Sequence, residues 1–375
     1  MYDVPKAKIH FIHFKFTLGR DDVDISGVAR SIKPLDREAQ RRARARQDIL
    51  TKPLGSLGRL EDLSVQLAGI YRTDSPKVGK KVIFTIAADH GICAEGVSAY
   101  PSEVTAQMVL NFANGGAAIN VLGRHAGAEV VTVDMGVASD LQWPSSVVSS
   151  KVRKGTRNMA REPAMTADEA ADAIGKGIEL ARRAVKNGAN LIGVGDMGIG
   201  NTTAATALTA IFTGQPVAEV AGRGTGLDDE GLRRKIKIIE EVIRLHRPDP
   251  AKPLDVLQRV GGLEIAGMAG VILGAAEGGV PVILDGFISS SSAMIAAGLA
   301  PESKSYMIAS HRSVERGHRA VLEYLGLEPI LDLRMRLGEG TGTALAMNLV
   351  EASCKLLNEM ATFDSAGVSK KSDGE

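Results

Sequence analysis

A single carboxylate, Glu339, stands between Gly338 and Gly340 in a glycine-rich segment near the C-terminus. Gly342 follows, and the apolar run that starts at Ala344 predicts a helix. Glycines let a backbone approach a ligand closely and take positive φ angles at little cost. An acid held on such a turn can accept a proton from a bound molecule. It can equally cap the helix, because acids favour helix N-termini, and this segment alone leaves both interpretations open.

A second candidate site is the loop after the predicted strand at residues 190–194. Backbone N–H groups at the start of the next helix, together with threonine hydroxyls, suit a monophosphate. Asp196 would repel a phosphate, so we expect it to face the other end of the substrate. The loop could also be a tight turn without a ligand. The residues predicted to hold the phosphate here are Gly198, Gly200, Asn201, Thr202 and Thr203.

The same loop also matches a dinucleotide-binding pattern. Gly193, Gly195 and Gly198 satisfy G-x-G-x-x-G between a strand and a helix. The acid expected about 20 residues later, at the end of a second strand, is poorly matched, because Glu219 lies beside a glycine-rich loop. The pattern therefore favours a monophosphate site, and an NAD-dependent oxidoreductase stays as the alternative.

A further glycine-rich stretch, residues 221–227, precedes a charged helix that Asp228 or Asp229 is expected to cap. Most basic side chains of this helix should be solvated, but one that faces the phosphate loop could neutralise a phosphate. The basic residues are Arg233, Arg234, Lys235 and Lys237.

Asp89 and His90 directly follow an apolar segment, residues 82–87, that predicts a buried strand. Polar residues just beyond the carboxyl end of a strand are where α/β folds bind ligands. Both are therefore candidate site residues. The alternative is a carboxylate–imidazole pair that only holds the loop in place.

Strand-like runs alternate with helical patterns along most of the chain. Such long connections imply parallel pairing with right-handed crossovers, so the sequence predicts an α/β fold with a parallel, Rossmann-like sheet flanked by helices. One helix is expected from Ser102 to about Arg124, and residues 138–165 are expected to be irregular. The predicted strands are residues 82–87, 128–136, 190–194, 282–284 and 305–309.

Two helix starts have recognisable signals. Thr166 and Glu169 form the sequence pattern of a capping box. Ser56 is expected to cap a helix in which apolar residues recur at helical spacing from Leu60 to Ile70.

The composition is that of an ordinary globular protein, with 44% hydrophobic and 24% charged residues among 375. A net charge of +1 argues against a nucleic-acid or membrane-surface partner held by electrostatics. No apolar run reaches the length of a membrane span. Cys93 and Cys354 allow no disulfide framework and no zinc spacing, which indicates a cytoplasmic location. No cofactor and no metal are predicted.

Several segments together carry a family resemblance. Over about residues 35–360 the chain closely resembles the nicotinate-nucleotide–dimethylbenzimidazole phosphoribosyltransferases. The resemblance implies transfer of 5-phosphoribosyl from nicotinate mononucleotide to a benzimidazole, which gives α-ribazole 5′-phosphate and nicotinate. The segments that carry it are residues 52–61, 88–91, 195–203, 284–287 and 336–340.

The resemblance also implies roles for individual residues. Glu339 falls on the catalytic base of the family, and Asp196 falls on a second acid, which is glutamate in some members. The family lysine falls on Lys235, which with Gly224 joins the predicted phosphate and ribose site. The acceptor base is expected near Asp89, His90, Tyr100, Met108, Arg336 and Leu337; other members carry Ser and Gln where this chain has Tyr100 and Met108.

The resemblance also implies a homodimer. Each subunit would have a large α/β domain and a small helical domain built from segments near both termini. Residues 81–344 would form the large domain, and residues 28–80 with 345–363 the small one. Residues 1–27 lie outside the resemblance as an N-terminal extension, and the polar residues 364–375 predict a disordered tail.

The chemistry supports a single base. Nicotinate departs from a pyridinium as a good leaving group, whereas the attacking benzimidazole must lose a proton, which Glu339 could accept. Attack opposite the leaving group inverts C1′ from β to α. The alternatives from other classes are the oxidoreductase, a non-catalytic nucleotide-binding module, and a metal hydrolase that uses Asp89, His90, Asp134 and His311.

Overall fold

The computed structural model describes residues 23–369. Its strands are Lys80–Ala88 (β1), Ala128–Gly136 (β2), Val147–Ser149 (β3), Ala189–Met197 (β4), Val282–Leu284 (β5) and Met307–Ala309 (β6). They form one six-stranded sheet in the order β3-β2-β1-β4-β5-β6, and every neighbouring pair is parallel. This is the order of a Rossmann-type sheet, so the predicted α/β fold is confirmed.

Helices cover both faces of the sheet. They are Ile25–Ser31 (α1), Arg37–Ile49 (α2), Arg59–Tyr71 (α3), Glu103–Ala113 (α4), Ala118–Ala126 (α5), Ala167–Lys186 (α6), Asn201–Thr213 (α7), Val217–Val220 (α8), Asp229–His246 (α9), Pro253–Val260 (α10), Leu263–Glu277 (α11), Phe287–Leu299 (α12), Arg316–Leu325 (α13), Thr341–Glu359 (α14) and Phe363–Ala366 (α15). Short 3-10 helices lie at Gly91–Glu95 and Pro301–Tyr306.

Strand side chains alternate between two buried layers. In β1, Phe84 and Ile86 belong to the core that packs against α6, α11 and α12, whereas Ile83 belongs to a second core with α5 and α14. Burial on both faces is expected for a parallel sheet, because its crossover helices must cover both sides. All strands run the same way, so the loops that follow them meet along one edge.

Small residues allow α6 and α11 to approach each other closely. A methyl group added at Gly270 would lie 2.0 Å from the carbonyl oxygen of Ile174, and one at Gly177 would lie 2.0 Å from that of Gly267. Backbone therefore meets backbone at this contact, and neither position has room for a side chain.

Segments near the two ends of the chain pack together. Ala43 of α2, Ala68 of α3 and Leu357 of α14 form a small cluster, and α3 also contributes Leu63 to the core that contains Ile83 of the sheet. The helical layer therefore rests directly on the sheet. Its description as a separate small domain stays a prediction.

Two segments differ from the expected secondary structure. The segment predicted to be irregular contains β3, an edge strand of three residues that is too short for a periodic signal. The single helix expected from Ser102 to about Arg124 is two helices, because the chain turns through Gly115 at φ 75°. A left-handed turn cannot continue an α-helix.

Boundaries differ at other points. The strand expected at residues 305–309 begins only at Met307, after the 3-10 helix. Helix α3 starts after Gly58 rather than at a Ser56 cap, whereas the capping box of Thr166 and Glu169 is confirmed.

The two ends of the chain also show differences. Part of the proposed N-terminal extension is helical from Ile25, and residues 1–22 lie outside the described residues. The expected disordered tail begins instead with α15, and residues 370–375 lie outside the described range. Between residues 23 and 369, no helix combines the length and apolarity needed to cross a lipid bilayer.

We predict that Gly270→Ala lowers the free energy of unfolding by about 2 kcal/mol. The clash with the Ile174 carbonyl should cost roughly 3 kcal/mol as overpacking, and the higher helix propensity of alanine should offset about 1 kcal/mol of it. Urea denaturation monitored by circular dichroism would measure the change. Gly79→Ala is the matched control, because its methyl group would meet nothing closer than 3.5 Å. Equal stability of Gly270→Ala and the parent chain would contradict the close helix contact.

Candidate active site

The loop before α14 holds Glu339 in a left-handed conformation. Its φ angle is +64°, and those of Gly338 and Gly340 on either side are +86° and +97°. A left-handed conformation is uncommon for a residue other than glycine and costs about 1 kcal/mol or more. Strained residues of this kind cluster at functional sites, where surrounding contacts hold them in place.

Asp285, just beyond the carboxyl end of β5, holds this loop. Its carboxylate accepts hydrogen bonds from the backbone N–H groups of Gly340 at 3.0 Å, Gly342 at 2.7 Å and Thr343 at 3.3 Å. These donors belong to the N-terminus of α14, where N–H groups lack helical partners. Asp285 therefore caps the helix that follows Glu339, and Glu339 is not needed for that task.

The Glu339 carboxylate instead faces the start of another helix. Its Oε2 atom accepts a hydrogen bond from the N–H of Ile119 in α5 at 3.3 Å. The side chain is buried, and this burial raises its pKa even though the backbone hydrogen bond lowers it. A carboxyl group with a raised pKa is a stronger base in its ionised form, which suits proton abstraction near neutral pH.

Asp196, near the end of β4, lies beside the Glu339 loop. Its backbone carbonyl accepts from the Glu339 N–H at 3.1 Å, and its Oδ2 atom accepts from the Asn201 side chain at 2.9 Å. Its Oδ1 atom is buried and has no hydrogen-bond partner among the described residues. Burial raises the pKa of Asp196 well above its usual range, and the charges of Asp285, Glu264 and Glu339 add to the effect. One oxygen of this buried acid therefore lacks a hydrogen-bond donor.

The predicted phosphate loop follows Asp196 and opens into α7. Gly200 takes a φ of +92° and forms the cap of the helix. Gly198 must be glycine, because a methyl group there would lie 2.4 Å from the carbonyl oxygen of Ala88. Thr202 points towards the second glycine-rich loop, whereas Thr203 is fully buried.

The two glycine-rich loops meet in space. Lys235 of α9 reaches between them and donates to Thr202 Oγ1 at 2.8 Å and to the Gly222 carbonyl at 3.3 Å. A methyl group at Gly224 would lie 2.7 Å from Thr202 Oγ1, and Arg336 donates to the Gly224 carbonyl at 3.1 Å. Burial lowers the pKa of the Lys235 ammonium group to about 8. A buried ammonium group beside a hydroxyl and a helix N-terminus is well suited to an anion.

These groups line one cleft of about 470 Å³ at the carboxyl edge of the sheet. Its size fits a small-molecule ligand. The predicted site residues that line it are Tyr100, Met108, Asp196, Gly198, Asn201, Thr202, Gly224, Arg336, Leu337 and Glu339.

Other predicted site residues do not line the cleft. Gly200 shapes the phosphate loop, Lys235 reaches it from behind Thr202, and Thr203 has a buried hydroxyl without a partner among the described residues. The assignment of Thr203 to phosphate binding stays a prediction.

Asp89 and His90 lie behind the phosphate loop. His90 Nε2 is 2.8 Å from Glu264 Oε1, and Asp89 accepts from the Ala138 N–H at 2.7 Å. Burial opposes a charge on His90, but the charge of Glu264 and the hydrogen bond to it raise the histidine pKa overall. This geometry fits the alternative that the pair holds the loop in place. A contact of either residue with the acceptor base stays a prediction that the geometry does not support.

Several lining residues were missed by the sequence interpretation. Ser313 and Glu315 follow β6 by a few residues, so the rule that ligands bind beyond strand ends could have found them. Phe287 and Ile288 begin an apolar helix just after β5, and Phe287 belongs to a segment that carries the resemblance, but neither was predicted to line the site. The further lining residues are Val104, Met197, Ile199, Thr225, Gly286, His311 and Gly338.

The geometry does not favour the dinucleotide alternative. Gly193 and Gly195 lie inside β4 rather than in the turn after it. Methyl groups at these positions would collide with Thr343 at 2.1 Å and with the Gly340 backbone at 2.2 Å. Both glycines therefore serve the close packing of α14 on the sheet.

The metal-hydrolase alternative has no matching geometry. Among residues 23–369, no group of three or more His, Cys, Asp or Glu side chains is arranged to hold a metal ion. Asp134 instead accepts from the Trp143 indole N–H at 2.6 Å, and His311 lies 3.8 Å from Asp285.

Comparisons with known proteins identify the family of this chain. Residues 32–368 match the model of a family described as Phosphoribosyltransferase. The nicotinate-nucleotide–dimethylbenzimidazole phosphoribosyltransferase of Chloroflexus aggregans is 59% identical over 91% of this chain and 97% of its own length. The enzyme of that name from Geobacter metallireducens is 54% identical over 92% of this chain and 97% of its own length.

Solved structures agree as well. The crystal structure of the nicotinate-nucleotide–dimethylbenzimidazole phosphoribosyltransferase from Thermus thermophilus has a TM-score of 0.85 and 47% identity, and the match covers 90% of this chain and 100% of that one. The fold, the cleft and these relatives establish that the chain belongs to the nicotinate-nucleotide–dimethylbenzimidazole phosphoribosyltransferase family and is a phosphoribosyl-transferring enzyme.

Proposed function

We propose that this enzyme transfers 5-phosphoribosyl from nicotinate mononucleotide to 5,6-dimethylbenzimidazole or a related base, giving α-ribazole 5′-phosphate and nicotinate. One observation carries the proposal. A single cleft joins a base, Glu339, to an anion site made by Thr202 and Gly224 with Lys235 behind them. The anion site suits the phosphate of the donor nucleotide, and the base suits an acceptor that must lose a proton.

Glu339 acts as the general base in this proposal. As the acceptor nitrogen bonds to C1′, positive charge develops on the ring, and the second ring nitrogen must give up its proton. The left-handed loop and the Asp285 cap fix the Glu339 backbone, so little reorganisation is needed when the proton moves. Attack from the side opposite nicotinate inverts C1′ from β to α.

Asp196 stabilises charge at the reacting carbon. Asp196 lines the cleft, its backbone carbonyl accepts from the Glu339 N–H, and its Oδ1 atom has no hydrogen-bond partner among the described residues. Positive charge at C1′ favours the ionised form of a neighbouring carboxyl, which offsets the burial that raises its pKa. The exposed side chains of Tyr100 and Leu337, with Met108, offer an apolar surface for the flat acceptor base.

A product assay tests the proposal. Purified protein is mixed with nicotinate mononucleotide and 5,6-dimethylbenzimidazole, and the products are identified by mass. Ribazole phosphate together with free nicotinate would support the transfer, and chromatography with NMR of the anomeric proton would establish the α configuration. Binding of both ligands without product would point to another acceptor base. This assay tests neither the predicted homodimer nor the predicted cytoplasmic location. Light scattering would test the homodimer.

We predict that Glu339→Gln lowers kcat by about 10²- to 10⁴-fold and leaves the affinity for nicotinate mononucleotide nearly unchanged. The amide has a similar shape but cannot accept the proton, so the loss falls on the chemical step. Steady-state kinetics with direct ligand titration would separate the two effects. Glu323→Gln is the matched control, because Glu323 is exposed and pairs with Arg319 on a surface helix. Near-normal turnover by Glu339→Gln would rule out its role as the base.

We predict that kcat/KM for nicotinate mononucleotide falls as the pH rises through about 8. The Lys235 ammonium group binds phosphate in its charged form, and burial lowers its pKa to about 8, so the charge is present below that pH and lost above it. Lys235→Arg should remove this decline, because a guanidinium stays charged, although its poorer fit should lower the overall rate. A pH profile from about 6 to about 10 for both proteins would measure the difference. The same decline in the arginine variant would show that another group is responsible.

A further inference from the structure

The cleft contains a carboxylate that no predicted step uses. Glu315 lines it, and its Oε2 atom is buried without a hydrogen-bond partner among the described residues. A buried carboxylate oxygen without a partner is costly, so an unpartnered one in a binding cleft indicates a ligand that supplies the missing donor.

The backbone of the facing loop makes room for this carboxylate. A methyl group at Gly222 would lie 1.8 Å from Glu315 Oε2. The Gly222 carbonyl accepts from Lys235, so Glu315 and the Lys235 ammonium group contact the same glycine. Glu315 is thus positioned beside the anion site without bonding to its lysine.

The segment that carries Glu315 lines the cleft with His311, Ser313 and Glu315 itself. It begins at His311, 3.8 Å from the Asp285 carboxylate that caps the helix after Glu339. It ends at Glu315, against the Gly222 loop. A phosphoribosyl group with its phosphate at the anion site and C1′ near Glu339 would have its ribose in the cleft that this segment lines.

We infer that Glu315 is a ribose-binding residue that accepts hydrogen bonds from the 2′- and 3′-hydroxyls of the donor nucleotide. This inference rests on the proposed function. A carboxylate only accepts hydrogen bonds, and a vicinal diol offers two donors on one side of the sugar. Dinucleotide-binding sites use an acidic residue on ribose in the same way. Glu315 therefore selects ribonucleotides over 2′-deoxyribonucleotides.

A different role would leave a different signature. Burial lowers the pKa of Lys235, and the charge of Glu315 acts in the opposite direction. If Glu315 served only to keep that lysine charged, its loss would weaken all phosphate-bearing ligands equally and more strongly at high pH. It would not change the preference between ribose and deoxyribose.

The test is equilibrium binding without an acceptor base, so that no turnover occurs. Nicotinate mononucleotide and its 2′-deoxy analogue are titrated into the parent protein, Glu315→Gln, Glu315→Ala and the surface control Glu323→Gln. The parent and the control should prefer the ribonucleotide by about 10- to 100-fold, because hydrogen bonds to a charged group are among the stronger ones. Both Glu315 variants should reduce that preference to about threefold or less, and thermal unfolding would verify that they are folded.

Two results would overturn the inference: a parent protein without the preference, or Glu315 variants that weaken both ligands equally. The product assay distinguishes this failure from failure of the proposed transfer. Product with no ribose preference removes only the role of Glu315. If the parent protein prefers the ribonucleotide, the Glu315 variants lose that preference, and no base yields ribazole phosphate, then the role of Glu315 stands. In that case only the proposed transfer to benzimidazoles fails. No binding of the mononucleotide would overturn both.

Discussion

The hydrogen bonds from the start of α14 to Asp285 are the constraint on which the site depends. One carboxylate accepts from three backbone N–H groups, at Gly340, Gly342 and Thr343, and so fixes the end of β5 to the loop that holds Glu339. The contact satisfies helix donors that would otherwise be buried without partners. It also holds Glu339 in a left-handed conformation that the loop would not favour alone. The same hydrogen bonds therefore cap α14 and position Glu339, the proposed base.

Close packing of backbones makes that arrangement possible. Gly195 in β4 allows the Gly340 backbone to rest on the strand, and Gly193 makes room for Thr343 one turn further along the helix. Any side chain at either position would move α14, and Glu339 with it. The glycines that resemble a dinucleotide motif thus position the active site, because they set how deeply the helix sits on the sheet.

Groups of opposite charge lie in the cleft and directly behind it. Lys235 is buried, and its hydrogen-bond acceptors are one hydroxyl and one carbonyl. Neither acceptor is charged, so the ammonium group can still pair with an anion. Asp196 and Glu339 line the cleft, and burial raises the pKa of both carboxyl groups. The proposed donor, with an anionic phosphate and a cationic pyridinium, would meet groups of the opposite sign in a poorly solvated environment.

The sequence by itself determined the sheet, the motif loops and the catalytic candidates. Strands such as β1 were predictable because their residues are apolar on both faces, and Glu339 was recognisable because the glycines on either side of it mark a tight turn. The edge strand β3 was missed because three residues are too few to show a periodic pattern. The break at Gly115 was missed because the pair Gly115 and Gly116 fits a close helix contact as well as a turn. Only the tertiary structure decided that Lys235 reaches Thr202, that His90 faces Glu264 and that Glu315 lines the cleft. These contacts join residues far apart in the chain, and their distances follow from the packing of helices on the sheet, which local sequence patterns do not encode.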